Sequence, residues 1–269
     1  MNGLRKAWRG GRTAIMNRQT LLIISDVDYT LLGDDDHLAE FANWYDRNKT
    51  HVQLVLTSGR FPDSIIESVK TTLLPEPDVV VGGVGSEICF YPSRDVVPGW
   101  PVCQLEHWDG NRVRTVLAGL ERLEPQADIF QSDYKVSYFL RHADPAELEQ
   151  IRAMLLEQSI RAELVYSSQR DLDVLPRGCN KGSAAEYVAH YLGFARYDVI
   201  VCGDSANDIA MFDYGFAGVV VDNAHPELKA LDNPLVYHST HKYAKGVLDG
   251  IEYWLERRAG ERALESKAS

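Results

Sequence analysis

The sequence predicts an α/β fold: a doubly wound, Rossmann-like parallel-sheet core that carries an inserted α+β cap domain. Two observations predict it. At both ends of the chain, short β-branched apolar runs alternate with segments of helical period, the βαβ rhythm of a parallel sheet. Between them lies a stretch in which apolar and polar residues alternate, as in half-buried antiparallel strands.

The elements follow in order. LLIISD (21–26), VQLVLTS (52–58) and PDVVVGGVGS (77–86) are bounded by Gly, Asp or Ser and read as buried parallel strands. His37 to Trp44 and Pro62 to Leu74 read as the helices that join them. After the middle stretch, NKGSAAEYVAHYLG (180–193) reads as a helix with Gly193 placed as its stop. DVIVCGD (198–204) is a strand, DIAMFDYG (208–215) a helix and AGVVVD (217–222) a strand. Ala244, Val247, Leu248, Ile251, Trp254 and Leu255 then form one stripe of a C-terminal helix.

The middle begins with Trp100 to Leu105, followed by a helix from Asn111 to Leu123. YKVSYFLRH (134–142) alternates, and a helix over 145–158 and strand-like runs at 160–167 and 171–175 complete an αββ-type unit. The expected organisation is thus a core of residues 20–97 and 178–258 interrupted by a cap of residues 98–177. Residues 1–19 are set apart as a disordered basic tail, with Arg5, Lys6, Arg9, Arg12 and Arg18, no acid and no apolar stretch of a secretory signal. Met16 is a plausible natural start within it.

Composition narrows the function. The chain has 269 residues, 45% hydrophobic and 25% charged, the profile of an ordinary globular protein with a sizeable core. Its formal net charge of -11 argues against nucleic acid as a partner, because phosphate backbones recruit Lys/Arg-rich surfaces. A phosphate site in such a chain has to be built locally, with a metal. Runs such as Leu21 to Ile24 are far too short to span a bilayer. Cys89, Cys103, Cys179 and Cys202 are scattered, without zinc spacing, and read as reduced thiols of a cytoplasmic protein.

Four short elements carry chemistry. Asp26-Val27-Asp28 ends the first strand, where the ligand crevice of an open α/β sheet lies, and two acids two residues apart can divide attack from proton transfer. Ser58-Gly59-Arg60 ends the second strand, a hydroxyl and backbone amides placed to cradle phosphate or simply to cap a helix. Lys181 begins the helix after the insert and can offset a carboxylate's charge. Gly203-Asp204-Ser205-Ala206-Asn207-Asp208 follows a later strand, and its two acids are the oxygen ligands that Mg²⁺ takes. Each alone has a structural explanation; together, at strand ends and in this order, they do not.

This order of DxD, hydroxyl, lysine and GDSxND resembles the motif set of the haloacid dehalogenase superfamily, over residues 20 to 257. SDVDYTLLGDD, TSGR, VGSEI, KVSYFL, SSQRDLDVLP, NKGSA, VCGDSANDIAMF and GVVVDNAHPEL look like the sucrose-phosphate phosphatase family, and mannosylfructose-phosphate phosphatases share much of this wording, including GGVG and HST at 238–240. Ser58 stands where many relatives carry threonine, and keeps the hydroxyl.

The resemblance implies an Mg²⁺-dependent phosphoric monoester hydrolase. In it Asp26 would be the nucleophile, Asp28 the acid and base, and Ser58 and Lys181 the holders of phosphate oxygens. Asp26, the Asp28 backbone carbonyl, Asp204 and, through water, Asp208 would hold the Mg²⁺. Substrate contacts are expected from Ser58, Gly59, Arg60, Asn180, Asn207 and Glu87, the last on a core loop facing the same crevice. The cap would act as a lid and supply Lys135, Ser137, Tyr138, Ser168, Arg170 and Asp171. Core packing is the expected role of Trp100, Trp108 and Tyr134, and no role falls to the histidines.

Sucrose 6-phosphate is the first substrate to expect, then mannosylfructose-phosphate, then other sugar phosphates, and the protein itself is expected to be a monomer. Two rival readings are a receiver-like signalling module and a regulatory sugar-phosphate-binding module. The first would be about half this length and would lack the second acidic loop. The second has no use for both Asp26 and Asp28.

Overall fold

The computed structural model describes residues 21–101 and 105–268, so the basic tail, the Met16 start and Cys103 lie outside the described residues. Strands β1 (Leu21–Asp26), β2 (Val52–Thr57) and β3 (Val79–Gly82) are parallel and buried on both faces, which is why they read as continuous Val/Leu/Ile runs. Helix α1 (Asp35–Asn48) joins the first two and starts where the Asp34 side chain accepts from the His37 amide. Helix α2 (Pro62–Thr71) joins the next two and opens on a proline, whose missing N–H is no loss there.

The run at 77–86 is not one strand. Val84 takes a left-handed φ of 60° within a 3-10 turn at Gly83–Gly85, and the chain returns antiparallel to β3 as β4 (Glu87–Phe90). The reversal lies inside an apolar stretch, and periodicity alone reads through its turn residues Gly83, Gly85 and Ser86.

The second half completes the core with α5 (Lys181–Leu192), β9 (Val199–Gly203), α6 (Ile209–Phe212), β10 (Ala217–Val220), α7 (Pro226–Lys229), β11 (Val236–His238) and α8 (Tyr243–Ala268). The sheet order is β11-β10-β9-β1-β2-β3-β4, with only β4 antiparallel. The chain winds outward from β1 in one direction and from β9 in the other, so the crevice of the sheet opens at the carboxyl ends of β1 and β9. Helix α8 packs on α1 and β10 through Ala244, Val247, Ile251 and Trp254, whereas Leu255, expected on that stripe, faces solvent.

Between β4 and α5 the chain builds a second, four-stranded antiparallel sheet ordered β5 (Glu124–Pro125), β6 (Val136–Phe139), β8 (Asp171–Pro176) and β7 (Ala162–Ser167). Helices α3 (Gly110–Leu117) and α4 (Pro145–Glu157) cover one face of it. The helix expected to reach Leu123 stops at Leu117, six residues early, where Gly119 withdraws helix propensity. Val113, Leu117, Val136, Tyr138, Leu140, Ile151, Leu155, Leu172 and Val174 form a hydrophobic core of this unit, separate from that of the large sheet. Period-two alternation then sends Lys135, Ser137, Phe139, Asp171 and Asp173 to the opposite face, toward the crevice. No helix among the described residues is long and apolar enough to cross a membrane. Cys89, Cys179 and Cys202 are buried free thiols.

Candidate active site

Parallel register brings the first two motifs together: Asp26 pairs with Thr57, so Ser58 follows at the same end of the sheet. Ser25 pairs with Cys202, which places the loop after β9 on the other side of Asp26. Lys181 arrives from the first turn of α5. Asn180 fixes that turn with a capping box, its Oδ1 accepting from the Ser183 amide (2.9 Å) while Ser183 Oγ accepts from the Asn180 amide (3.0 Å). Asn180, expected to touch substrate, is thus occupied as a cap and does not line the crevice.

Lys181 is 1% exposed and lies beneath the floor of the crevice. Its Nζ donates to Asp26 Oδ1 and to Asp208 Oδ1, each at 2.6 Å. Gly182 makes this possible, because a Cβ there would sit 2.1 Å from the Ala210 carbonyl oxygen of α6. Gly182→Ala should therefore destabilise the protein by about 1–3 kcal/mol by overpacking. Chemical denaturation checks this, and an unchanged midpoint would show the helix contact to be loose.

Asp208 is fully buried, and its Oδ2 accepts from the backbone N–H groups of Asp204 and Ser205, both at 3.0 Å. Asp204 in turn accepts from Thr30 Oγ1 at 3.2 Å. Gly203 is required here, since a Cβ would lie 2.5 Å from that of Asp208. Asp26, Asp204 and Asp208 are buried, and each offers a carboxylate oxygen within 4.8 Å of the others.

The electrostatics of this trio are unbalanced. Burial pushes Asp26 up to about 7, opposed by Lys181 and reinforced by Asp208 and Asp28. Burial, then Asp26 and Asp208, push Asp204 up to about 8. Burial alone would lower Lys181, but Asp208 and Asp26 outweigh it and raise it, so it stays a cation. One lysine faces three buried carboxylates. A divalent cation would supply the missing charge, and the all-oxygen donor set is the kind that Mg²⁺ takes.

Asp28 stands outside the trio. Its Oδ2 accepts from Arg60 Nε (2.8 Å) and Ser58 Oγ (3.2 Å), and Arg60 is itself braced by Ser68 Oγ (2.8 Å). Ser58 Oγ also accepts from the Arg60 amide at 3.1 Å, which folds the Ser58-Gly59-Arg60 turn over the crevice.

The crevice is a cavity of ≈380 Å³ whose lining includes Asp26, Asp28, Ser58, Gly59, Arg60, Asp204 and Asn207 from the core, and Lys135, Ser168, Arg170 and Asp171 from the insert. Lys135 is buried and ion-paired with Asp173 (3.0 Å), which also accepts from Ser137 Oγ (2.6 Å). Arg170 pairs with its neighbour Asp171, and Gln126 donates to the same carboxylate at 3.1 Å.

Two further expected contacts are corrected. Tyr138 points into the insert's hydrophobic core, because it shares the face of β6 with Val136 and Leu140. Glu87 opens β4 and lines a different cavity of ≈530 Å³ with Phe61, Trp100 and Tyr134, because the Val84 turn carries the chain away from the crevice. Trp100 is buried and donates from Nε1 to the Gly85 carbonyl, a packing role.

Sequence reasoning missed Thr30, Gln126, Ser167, Asp173, His225 and Tyr29 as lining or supporting residues. Asp173 was within reach: it lies two residues from Asp171, opposite in phase to Leu172 and Val174. Thr30 and Gln126 carry no signal, since only the folded loops bring them there.

Residues 19–255 match the model of the sucrose-6F-phosphate phosphohydrolase family. The mannosylfructose-phosphate phosphatase of Agrobacterium fabrum is 34% identical, over 87% of this chain and 96% of that protein. A protein named probable sucrose-phosphatase 2 from Arabidopsis thaliana is 30% identical over 87% of this chain, which spans only 59% of its length. The sucrose-phosphatase of Synechocystis sp. PCC6803, solved with sucrose and phosphate, superposes with a TM-score of 0.82 at 33% identity, covering 88% of this chain and 98% of that one. The same fold recurs at low identity in haloacid dehalogenase-like hydrolases. A match this nearly end to end, seated on the acid–lysine cluster at the mouth of the sheet, settles the family: the chain belongs to the sucrose-6F-phosphate phosphohydrolases, phosphatases of the haloacid dehalogenase superfamily.

Proposed function

We propose that this phosphatase hydrolyses the phosphate ester of a disaccharide, sucrose 6-phosphate first and mannosylfructose-phosphate second, through an aspartyl-phosphate on Asp26. The observation that carries this reading is Lys181 held between Asp26 and Asp208 at 2.6 Å from each, at the base of a crevice roofed by the polar face of the insert.

A carboxylate approaches a phosphate dianion only when positive charge cancels the repulsion, and phosphoryl transfer asks mainly for positioning and such neutralisation. Asp26, Asp204 and Asp208 are the residues that would hold Mg²⁺, which supplies the remaining charge when bound. Lys181 orients Asp26 through Oδ1. A carboxylate oxygen of Asp26 bonds to phosphorus as the bond from phosphorus to the sugar oxygen breaks, and Asp28 gives that oxygen its proton. A water then attacks the same phosphorus and gives its proton to Asp28, and the bond to Asp26 breaks to release phosphate. Arg60 and Ser58 hold Asp28 over the crevice for both transfers. Asn207 and the Ser58-Gly59-Arg60 turn face the phosphate, and Lys135, Ser168, Arg170 and Asp171 face the sugar. The insert, residues 98–177 by our division, serves as the lid that limits water.

The test is phosphate release from both esters side by side, with Mg²⁺ and after chelation. Chelation should abolish turnover, and added Mg²⁺ should restore it. Mg²⁺-independent release would sink the metal assignment. Equally feeble rates on both esters would return the substrate to unknown while keeping the chemistry.

A further inference from the structure

Tyr29 follows Asp28 directly, and nothing in the fold explains it. Its φ is 63°, in the left-handed region where a side chain with a Cβ is strained and where glycine or asparagine sits at less cost. Its side chain gains nothing in return from packing: Tyr29 is 65% exposed. Among the described residues its ring stacks on no other ring and its hydroxyl makes no hydrogen bond. The backbone, by contrast, is pinned. Asn223 Nδ2 donates to the Tyr29 carbonyl at 2.6 Å, and the Asn223 side chain also accepts from the Tyr243 amide at 2.9 Å, tying this turn to the start of α8. An aromatic ring held in water on a strained, anchored backbone is the mark of a residue kept for a ligand rather than for stability.

The surroundings say which ligand. Tyr29 lines the crevice from the core side, and Phe130 and Phe139 line it from the insert. Phe139 is already covered, with the guanidinium groups of Arg141 and Arg170 each 5.4 Å from its ring centre. That leaves Tyr29 and Phe130, both exposed, as the free aromatic surfaces of the crevice. A pyranose or furanose ring presents C–H faces to such surfaces, while its hydroxyls turn to polar side chains such as Gln126, Ser168 and Asp171 on the same wall.

We infer that Tyr29 is a specificity-determining residue, a stacking platform for the sugar ring distal to the phosphate, with Phe130 closing on that ring from the insert. This rests on the proposal that the substrate is a phosphorylated disaccharide. Tyr29 touches neither the ester nor the acid–lysine cluster in this role. It tells two-ring from one-ring esters.

The experiment compares Tyr29→Ala and Tyr29→Phe with the wild type. It measures kcat/KM for sucrose 6-phosphate or mannosylfructose-phosphate, the inhibition constant of inorganic phosphate, and the thermal midpoint. Tyr29→Ala should lower kcat/KM for the two-ring ester by about tenfold, the scale of a lost aromatic contact, mostly through KM. Phosphate has no ring, and its inhibition constant should stay within about twofold of wild type on the same reasoning. Tyr29→Phe should restore the wild-type kcat/KM, since the hydroxyl is unused. The midpoint should not fall, because the ring buries nothing. Equal weakening toward phosphate and ester, or no loss on the ester, overturns the platform and leaves the substrate proposal standing. Absence of wild-type turnover of every two-ring ester overturns both.

Discussion

Asp26→Asn is expected to reduce phosphate release by at least about 10³-fold, the scale on which a covalent nucleophile is lost. Asparagine fills the same space at the end of β1 but is not a nucleophile, so the loss arises in the chemical step rather than in folding. Stability should hold or rise. Asp26 is one of three carboxylates crowded around a single lysine, and a neutral amide relieves that crowding while Lys181 keeps its bond to Asp208. Thermal unfolding and single-turnover phosphate release on one preparation separate the two effects. Turnover within tenfold of wild type would remove Asp26 from the mechanism. A collapsed midpoint would mean that Asp26 is a structural partner of Lys181 first.

Lys181→Met carries the largest expected cost in stability. Methionine has nearly the reach of lysine but no charge, so the substitution leaves Asp26, Asp204 and Asp208 buried together with no internal cation. Removing one partner of a buried ion pair typically destabilises by about 3–5 kcal/mol. For a protein of this size that is a fall in thermal midpoint on the order of 10 °C. Turnover should be lost with it, because Asp26 is then neither oriented nor charge-compensated. Added Mg²⁺ should return part of the midpoint, since it binds the trio in the folded state alone. A Lys181→Met variant as stable as wild type would show that the trio already carries protons or finds another cation.

How much of this was legible beforehand depended on whether a feature is local. The DxD pair could be placed because a parallel buried strand is a short β-branched run, and its carboxyl end can be read directly: LLIISD ends at Asp26, and β1 does too. The role of Asn180 was open to a local reading as well, since Asn-x-x-Ser before an apolar run is a capping signal. The direction of Tyr138 is a matter of phase along β6. The same alternation that marks β6 as a strand sends Val136, Tyr138 and Leu140 one way and Lys135, Ser137 and Phe139 the other. Glu87 was lost to Val84, a non-glycine residue in a left-handed turn, which no propensity scale anticipates.

The sequence by itself determined the alternating core, the inserted second sheet, the four motifs and their order along the chain, because each is written in periods of two or 3.6 residues and in short spacings. Only the tertiary structure decided that Lys181 bridges Asp26 and Asp208, that Arg60 and Ser58 hold Asp28, and that Lys135 is neutralised by Asp173. These pairs lie 155, 27, 32, 30 and 38 residues apart, the first four meeting at the carboxyl ends of the large sheet and the last where β6 begins beside its neighbouring strand β8 in the insert. The physical reason is that charge compensation in a buried site is a property of distances of a few ångströms. Those distances exist only after the winding of the sheet has brought the carboxyl ends of β1 and β9 side by side.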